Sequence, residues 1–203
     1  MTRFASVFLM TVASIGMAAT PLPRATSIDL SKAKENVEFL AVGSPSAIKI
    51  RGKAKEENGE KTLKGNLSLD GRNLTGTARI KLDTFDTGME LRNKHMKEKY
   101  LETQKFPEAD LVITKLTLPE SATGETFNAE GVPFTGDLTL HGVKKPVTGT
   151  SSVKRTASAI ELAFEFSVPM ESYGIETPSF MGIKVTKDVS INVQVEAPLE
   201  AKN

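Results

Sequence analysis

The chain has 203 residues, of which 39% are hydrophobic and 25% charged, a composition typical of a globular protein that can bury a sizeable core. Its 26 basic and 25 acidic residues are interleaved and give a formal net charge of +1. This balance carries no electrostatic footprint for nucleic acid or for an anionic membrane surface. Cysteine is absent, which excludes thiolate metal sites, cysteine nucleophiles and disulfide exchange.

Residues 1–18 have the three parts of a secretory signal peptide. Arg3 supplies the positive charge, an apolar stretch follows, and Gly16 and Ala18 are the small residues expected before a cleavage site. The apolar stretch is shorter than the about 20 residues that span a bilayer, and no later segment approaches that length. We therefore expect cleavage on export, a flexible leader over residues 19–26, and no integral membrane segment in the mature chain.

After the leader, apolar and polar residues alternate in six segments, and this period of two predicts β-strands with one buried and one solvated face. The segments are residues 48–51, 63–70, 74–83, 134–141, 160–168 and 189–196. Turn signals punctuate them at Glu57-Asn58-Gly59, Leu69-Asp70-Gly71, Leu118-Pro119 and His141-Gly142. Because parallel sheets are covered on both faces, the one-sided pattern predicts an antiparallel sheet, arranged as a sandwich or a closed barrel.

One segment departs from the alternation and predicts a short helix over about residues 88–101. Thr87 and Glu90 have the spacing of a capping box with Thr87 as the N-cap, and apolar residues then recur near helical spacing. Acidic residues are interspersed with the one basic cluster of the chain, which we interpret as a solvated helix face. The basic cluster consists of Arg92, Lys94, Lys97 and Lys99.

The sequence lacks the short motifs of common catalytic sites, with no nucleophile elbow, HExxH, P-loop or GxGxxG. Its two histidines are His95 on the predicted helix and His141 at a strand end. Each admits a structural role, a polar contact in a ligand pocket, or a part in catalysis or metal binding. We predict no catalytic residue, no metal site and no cofactor.

Two groups of residues on the apolar faces leave alternatives open. Small residues either mark bends where a barrel curves or leave interior volume for a ligand. Methionines either line an adaptable pocket or fill an ordinary core. The small residues are Gly65, Gly76, Ala78 and Gly136, and the methionines are Met89, Met96, Met170 and Met181.

Three sequence blocks together carry a family resemblance. The first runs from Phe85-Asp86-Thr87-Gly88 through Arg92-Asn93-Lys94-His95-Met96 to Lys105-Phe106-Pro107-Glu108-Ala109. The second is GDLTLHGVKKPV at residues 136–147, and the third is Met170-Glu171-Ser172-Tyr173-Gly174-Ile175. In this order the blocks resemble the YceI-like family of exported lipocalin-like barrels, known as polyisoprenoid-binding proteins. The resemblance spans a domain of about residues 27–197, followed by a tail at 198–203.

The resemblance implies an all-β fold, an extended antiparallel lipocalin-like β-barrel with one short helix near the barrel mouth. It also implies a tunnel for an extended apolar chain, such as an isoprenoid, an isoprenoid quinone or a fatty amide, and a periplasmic location in a Gram-negative bacterium. Two positions depart from the family pattern, where Asn93 replaces Asp and Met170 replaces Arg. The lost Arg charge motivates the hypothesis that this chain prefers a neutral head group.

We therefore expect a periplasmic protein that carries or stores an apolar lipid such as a polyisoprenoid, performs no chemistry and binds no nucleic acid. The residues expected to line the tunnel are Phe85, Met89, Met96, Phe134, Leu138, Phe164 and Phe166. The polar contacts expected at the mouth are Arg92, His95 and His141. The alternative is a protein-interaction or stress-response barrel with a packed core, and interior volume distinguishes the two. The oligomeric state stays open, with a homodimer among the options.

Overall fold

A computed structural model describes residues 25–199 apart from residues 46, 57, 58, 181 and 182. The expected signal peptide, most of the leader and all but the first two residues of the tail therefore lie outside the described residues. So do Met181 and two of the three residues of the Glu57-Asn58-Gly59 turn signal. Within the described part of the chain, no helix is both long and apolar enough to cross a membrane.

The described chain consists mainly of antiparallel strands joined by turns. The strands are β1 (Thr26–Asp29), β2 (Lys34–Ser44), β3 (Lys49–Ala54), β4 (Leu63–Asp70), β5 (Asn73–Lys81), β6 (Phe85–Asp86), β7 (Glu108–Leu116), β8 (Phe127–Leu140), β9 (Val143–Arg155), β10 (Ala159–Pro169), β11 (Ser179–Phe180), β12 (Ile183–Val185) and β13 (Asp188–Pro198). β1 begins one residue before the domain start expected from the sequence.

These strands form one sheet that curls into a half-closed barrel, which confirms the antiparallel barrel and excludes the sandwich. The order of neighbours is β1-β4-β5-β7-β8-β9-β10-β13-β2. Beyond β2 the sheet branches, because β2 pairs with both β12 and β3, and β3 then pairs with the short β6. The long strands β8, β9 and β10 are neighbours in the middle of this order.

Two chain crossings bring the ends of the sheet together. β1 continues through a 3-10 turn, Leu30–Lys32, into β2, and β5 continues through a second, Leu82–Thr84, into β6. β2 and β4 do not pair as strands within the described residues, and the Glu35 carboxylate bridges them instead. It accepts hydrogen bonds from the backbone N–H groups of Thr62 at 2.9 Å and Leu63 at 3.1 Å, and from the Thr62 hydroxyl.

The glycines on the apolar faces mark close approaches of neighbouring strands, which supports the bend interpretation. Gly65 and Gly76 have φ of +132° and +140°, and a Cβ at either would lie within 2.3 Å of a backbone oxygen. At Gly136 a Cβ would lie 2.5 Å from the Val112 oxygen, beside a register shift between β7 and β8. Side chains at these positions are incompatible with the curvature of the sheet.

All six alternating segments overlap strands, but one predicted apolar face is wrong. Ile48 lies before β3 rather than in it, and its side chain is 45% exposed. The reason is that Ile48 lies just before β3, outside the paired strands. Its neighbours Ala47 and Lys49 are exposed as well.

The predicted helix is present, as the α-helix α1 (Glu90–His95) followed by a π-helical turn, Met96–Tyr100. Its predicted capping box is wrong: the N-cap is Met89, and no side chain caps the helix. Gly88, with φ of +81°, turns the chain between Thr87 and the helix. Thr87 instead donates from its backbone N–H and its hydroxyl to the Asn93 side-chain oxygen.

Candidate functional site

The half-barrel encloses an apolar cavity of about 110 Å³. Nineteen residues line it, and each is alanine, valine, leucine, isoleucine or phenylalanine. They are Leu30, Val37, Leu63, Leu67, Ala78, Ile80, Leu82, Phe85, Ala109, Leu111, Ile113, Leu138, Leu140, Phe164, Phe166, Val168, Ile191, Val193 and Val195. A cavity with this lining offers a ligand dispersion contacts and no side-chain hydrogen bonds.

The period of two along each strand places these side chains. On β13, Ile191, Val193 and Val195 face the cavity, while the polar residues between them face outward. Several lining residues are only half-buried, so apolar surface remains for a hydrocarbon ligand to cover. The half-buried lining residues are Ala78, Ile80, Leu140, Phe166, Ile191 and Val193.

The volume sets the scale of what fits without rearrangement. An apolar protein cavity of about 150 Å³ stays dry and accepts benzene. The cavity of about 110 Å³ here therefore fits a short hydrocarbon segment. An extended chain requires neighbouring side chains to move.

The structure brings four of the seven residues expected to line a tunnel to the cavity, namely Phe85, Leu138, Phe164 and Phe166. Phe134 is fully buried beside it, edge-on to Phe164 and Phe166 at ring-centroid distances of 5.3 and 6.0 Å. Met96 is half-buried against the core, and Met89 is 56% exposed before α1. The contribution of each to ligand binding stays a prediction.

The three residues expected as polar contacts at the mouth are dispersed over the helical segment and the β8–β9 turn. Arg92 is half-buried and donates to the Thr87 hydroxyl at 2.8 Å and to the Thr87 carbonyl at 2.6 Å. His95 is exposed on α1, and its side chain makes no hydrogen bond to the described residues. His141 follows the cavity-lining Leu140 at the end of β8.

His141 is held by groups from two distant segments. Its Nδ1 lies 3.2 Å from the Tyr173 carbonyl oxygen, which can only accept, so this nitrogen carries a proton and donates. Its Nε2 lies 2.7 Å from a Glu102 carboxyl oxygen, and that contact requires one proton between the two groups. The ring also packs against Phe106, with centroids 4.4 Å apart. Both ring nitrogens are thus engaged within the protein.

The first family-like block forms a hydrogen-bonded turn next to Phe85. The Asp86 carboxylate accepts from the Asn93 amide and the Gly88 N–H, each at 2.7 Å, and pairs with Lys55. The Lys55 ammonium, the Asn93 amide and the Gly88 N–H together hold the pKa of Asp86 well below its ordinary value. An amide at position 93 can accept from Thr87 and donate to Asp86 at once, which an ionised Asp could not.

The second departure from the family pattern lies elsewhere. Met170 is half-buried at the end of β10, packs against the core and does not line the cavity. Among the described residues, no three His, Cys, Asp or Glu side chains are grouped so that they could hold a metal ion. Ile191 and Val193 line the cavity but were not predicted as site residues, although the alternation on β13 already placed both on its apolar face.

Fold and cavity together define a class: a lipocalin-like antiparallel half-barrel with an apolar interior and one helical segment at its mouth. The YceI-like domain family matches residues 29–197, and the chain belongs to it.

Curated relatives match a shorter part of the chain. It is 41% identical over 69 residues to a UPF0312 protein of Photorhabdus laumondii, and 39% identical over 70 residues to one of Yersinia enterocolitica. Each match covers 34% of this chain. The chain spans about a third of the length of these relatives, 31% and 32% respectively.

Solved structures share the fold at low sequence identity. A polyisoprenoid-binding domain from Saccharophagus degradans superposes with a TM-score of 0.63 at 13% identity, over 87% of this chain and 99% of that one. BcnA of Burkholderia cenocepacia gives 0.63 at 19% identity, over 84% and 99%. The YceI protein of Campylobacter jejuni gives 0.55 at 16%, over 74% and 85%.

Proposed function

We propose that this protein binds an apolar lipid, with the hydrocarbon part of the ligand in the half-barrel cavity, and carries or stores it without chemical change. The observation that carries the proposal is the lining, nineteen residues without one polar side chain. Transfer of hydrocarbon from water into such a cavity contributes about 0.8 kcal/mol per CH₂ group. An ordinary packed core would leave no such volume.

The likeness to a polyisoprenoid-binding domain supports a branched, isoprenoid-type chain as the ligand. In this proposal Phe85, Leu138, Phe164 and Phe166 contact the chain directly. Phe134 and Met96 support that lining from the core, and Met89 lies outside it.

The head group is proposed to be neutral and to lie near the helical segment. The Arg of the family pattern is replaced by Met170, which removes one positive charge. His141 has both ring nitrogens bonded within the protein, so of the three polar residues expected at the mouth, exposed His95 and the remaining donors of Arg92 are left to contact a head group.

The site of action is proposed to be the periplasm. Residues 1–18 carry the charge, apolar run and small residues of an export signal. A periplasmic carrier of this kind moves hydrocarbon through an aqueous compartment, where the cavity shields the chain from water.

Lipid extraction from the purified protein, followed by mass spectrometry, tests the ligand. We expect a neutral isoprenoid or a related apolar lipid that a fluorescent-lipid assay shows to be displaceable. A bound polyprenyl pyrophosphate would contradict the neutral head group. Absence of both co-purifying lipid and displaceable binding would contradict the carrier and favour the interaction module.

A further inference from the structure

The start of α1 exposes apolar surface. Leu91 is 60% exposed and Met89 is 56% exposed, and only one other large apolar side chain of the described residues, Ile48, is comparably open to solvent. Leu91 and Met89 are two positions apart in the chain. Two large exposed apolar side chains in one short segment mark that segment as a contact surface.

Three lysines follow these two residues in the same segment. Across the sheet, many cations are paired with a carboxylate, as in Lys154 with Glu161 at 2.8 Å. No described carboxylate forms an ion pair with Lys94, Lys97 or Lys99, and the Lys99 ammonium lies over the Tyr100 ring, 5.2 Å from its centroid. We call residues 89–100 the docking segment, and its four basic residues exceed its two acidic ones. This local excess of positive charge is hidden in the near-neutral balance of the whole chain, from which we expected no footprint for an anionic membrane surface.

Contacts within the docking segment and just past it hold the segment next to the cavity. Asn93 bonds to Thr87 and Asp86, directly after the cavity-lining Phe85. Just past the other end, Glu102 contacts His141, the residue after the cavity-lining Leu140. A surface that touched the docking segment would therefore lie beside the cavity.

We propose that the docking segment places the protein on an anionic phospholipid surface, where Met89 and Leu91 enter the acyl boundary and Lys94, Lys97 and Lys99 face phosphate groups. This inference rests on the proposed lipid carriage, because a carrier must meet a membrane to load or release its ligand. Exposed apolar side chains beside unpaired cations are the chemistry that binds such an interface. Two side chains are too few for a stable protein interface, which needs about 800 Å² per partner.

Vesicle flotation of the purified protein tests the proposal. We expect binding to vesicles of phosphatidylcholine and phosphatidylglycerol in equal amounts, and much weaker binding to phosphatidylcholine alone. Substitution Leu91→Ser should weaken binding to the anionic vesicles about tenfold or more. Each of the substitutions Lys94→Gln, Lys97→Gln and Lys99→Gln should weaken binding to the anionic vesicles about fivefold. Added salt should also weaken this binding.

The matched control is Ile48→Ser, which removes an exposed apolar side chain in the β2–β3 loop and should leave vesicle binding unchanged. Equal flotation with neutral and anionic vesicles, or equal losses in Leu91→Ser and Ile48→Ser, would overturn the proposal. The fluorescent-lipid assay in solution separates this result from the proposed function. If the Leu91→Ser variant binds lipid but not vesicles, the docking proposal is supported. If the parent protein binds lipid but not vesicles, the docking proposal is refuted and the proposed lipid binding still stands.

Discussion

Glu35 joins two strands that share no backbone pairing, because its carboxylate accepts from the N–H groups of Thr62 and Leu63. The substitution Glu35→Ala removes this acceptor from the N–H groups of Thr62 and Leu63 and from the buried Thr62 hydroxyl. We expect the free energy of unfolding to fall by about 1–3 kcal/mol in denaturant titration. Glu38→Ala is the control on the same strand, since Glu38 only pairs loosely with Lys53 at 3.8 Å at the surface. An equal loss in both variants would contradict the bridging role.

The two histidines should differ in their effect on stability. His141→Ala removes contacts to Tyr173, Glu102 and Phe106, and we expect a loss of about 1–3 kcal/mol in the free energy of unfolding. His95→Ala, on the exposed face of α1, should change it by less than about 0.5 kcal/mol. Thermal denaturation of both variants checks this, and a silent His141→Ala would rule out the structural role.

Asn93 should influence the titration of Asp86. Removal of its amide in Asn93→Ala should raise the pKa of Asp86 toward the ordinary 3.8, while Lys55 and Gly88 still lower it. A lowered pKa stabilises the fold above the ordinary value, and that stabilisation is lost as the pH falls through the lowered one. In the variant this stabilisation should therefore be smaller, and its loss should be complete at a higher pH than in the parent protein.

NMR titration of the Asp86 carboxyl carbon measures this shift. Asn128→Ala is the control, because its amide bonds to Glu130 within β8, a strand that does not pair with the Asp86 strand β6. An Asp86 titration that is the same in Asn93→Ala and in the parent protein would show that the amide does not act on the carboxylate.

Alternation predicted six strands with one wet face, whereas β7 and β9 gave weaker signals for identifiable reasons. In β7 the buried residues Ala109, Leu111 and Ile113 do alternate, but the apolar Val112 between them turns the pattern into a continuous apolar run in the sequence. β9 is largely polar and contains Pro146, which lowers the signal for a strand. The pairing of β9 between β8 and β10 overrides its weak local preference.

Gly76 should tolerate substitution less well than a glycine in an open turn. In Gly76→Ala the Cβ would meet the Asn66 oxygen at 2.3 Å, in addition to the cost of positive φ. Gly71→Ala carries only that conformational cost, about 1 kcal/mol, because nothing lies within 4 Å of its Cβ. We expect Gly76→Ala to be less stable than Gly71→Ala by about 1–3 kcal/mol in chemical denaturation. Equal stabilities would mean that the strands can separate at this point.

At the scale of the whole molecule, the sequence predicts which residues face inward but not where the interior stays open. Phe134 shares a face with Leu138 on β8, yet only Leu138 lines the cavity. Phe134 pairs with Gly149 on β9 and its ring lies over that glycine, with a ring carbon 2.7 Å from where a Cβ would be. This depends on a contact between strands that no local pattern encodes. The same holds for His141 and Glu102, which lie 39 positions apart.

A pair of phenylalanine substitutions tests most directly whether the cavity holds the hydrocarbon of a lipid. Ala78 on β5 lines the cavity, whereas Ala163 on β10 is equally half-buried but faces outward between Ser152 and Gln194. Ala78→Phe fills volume that the ligand needs, so its affinity for a fluorescent lipid should fall at least about tenfold, while Ala163→Phe binds like the parent protein. If Ala78→Phe is folded and binds the lipid with undiminished affinity, the ligand does not occupy this cavity.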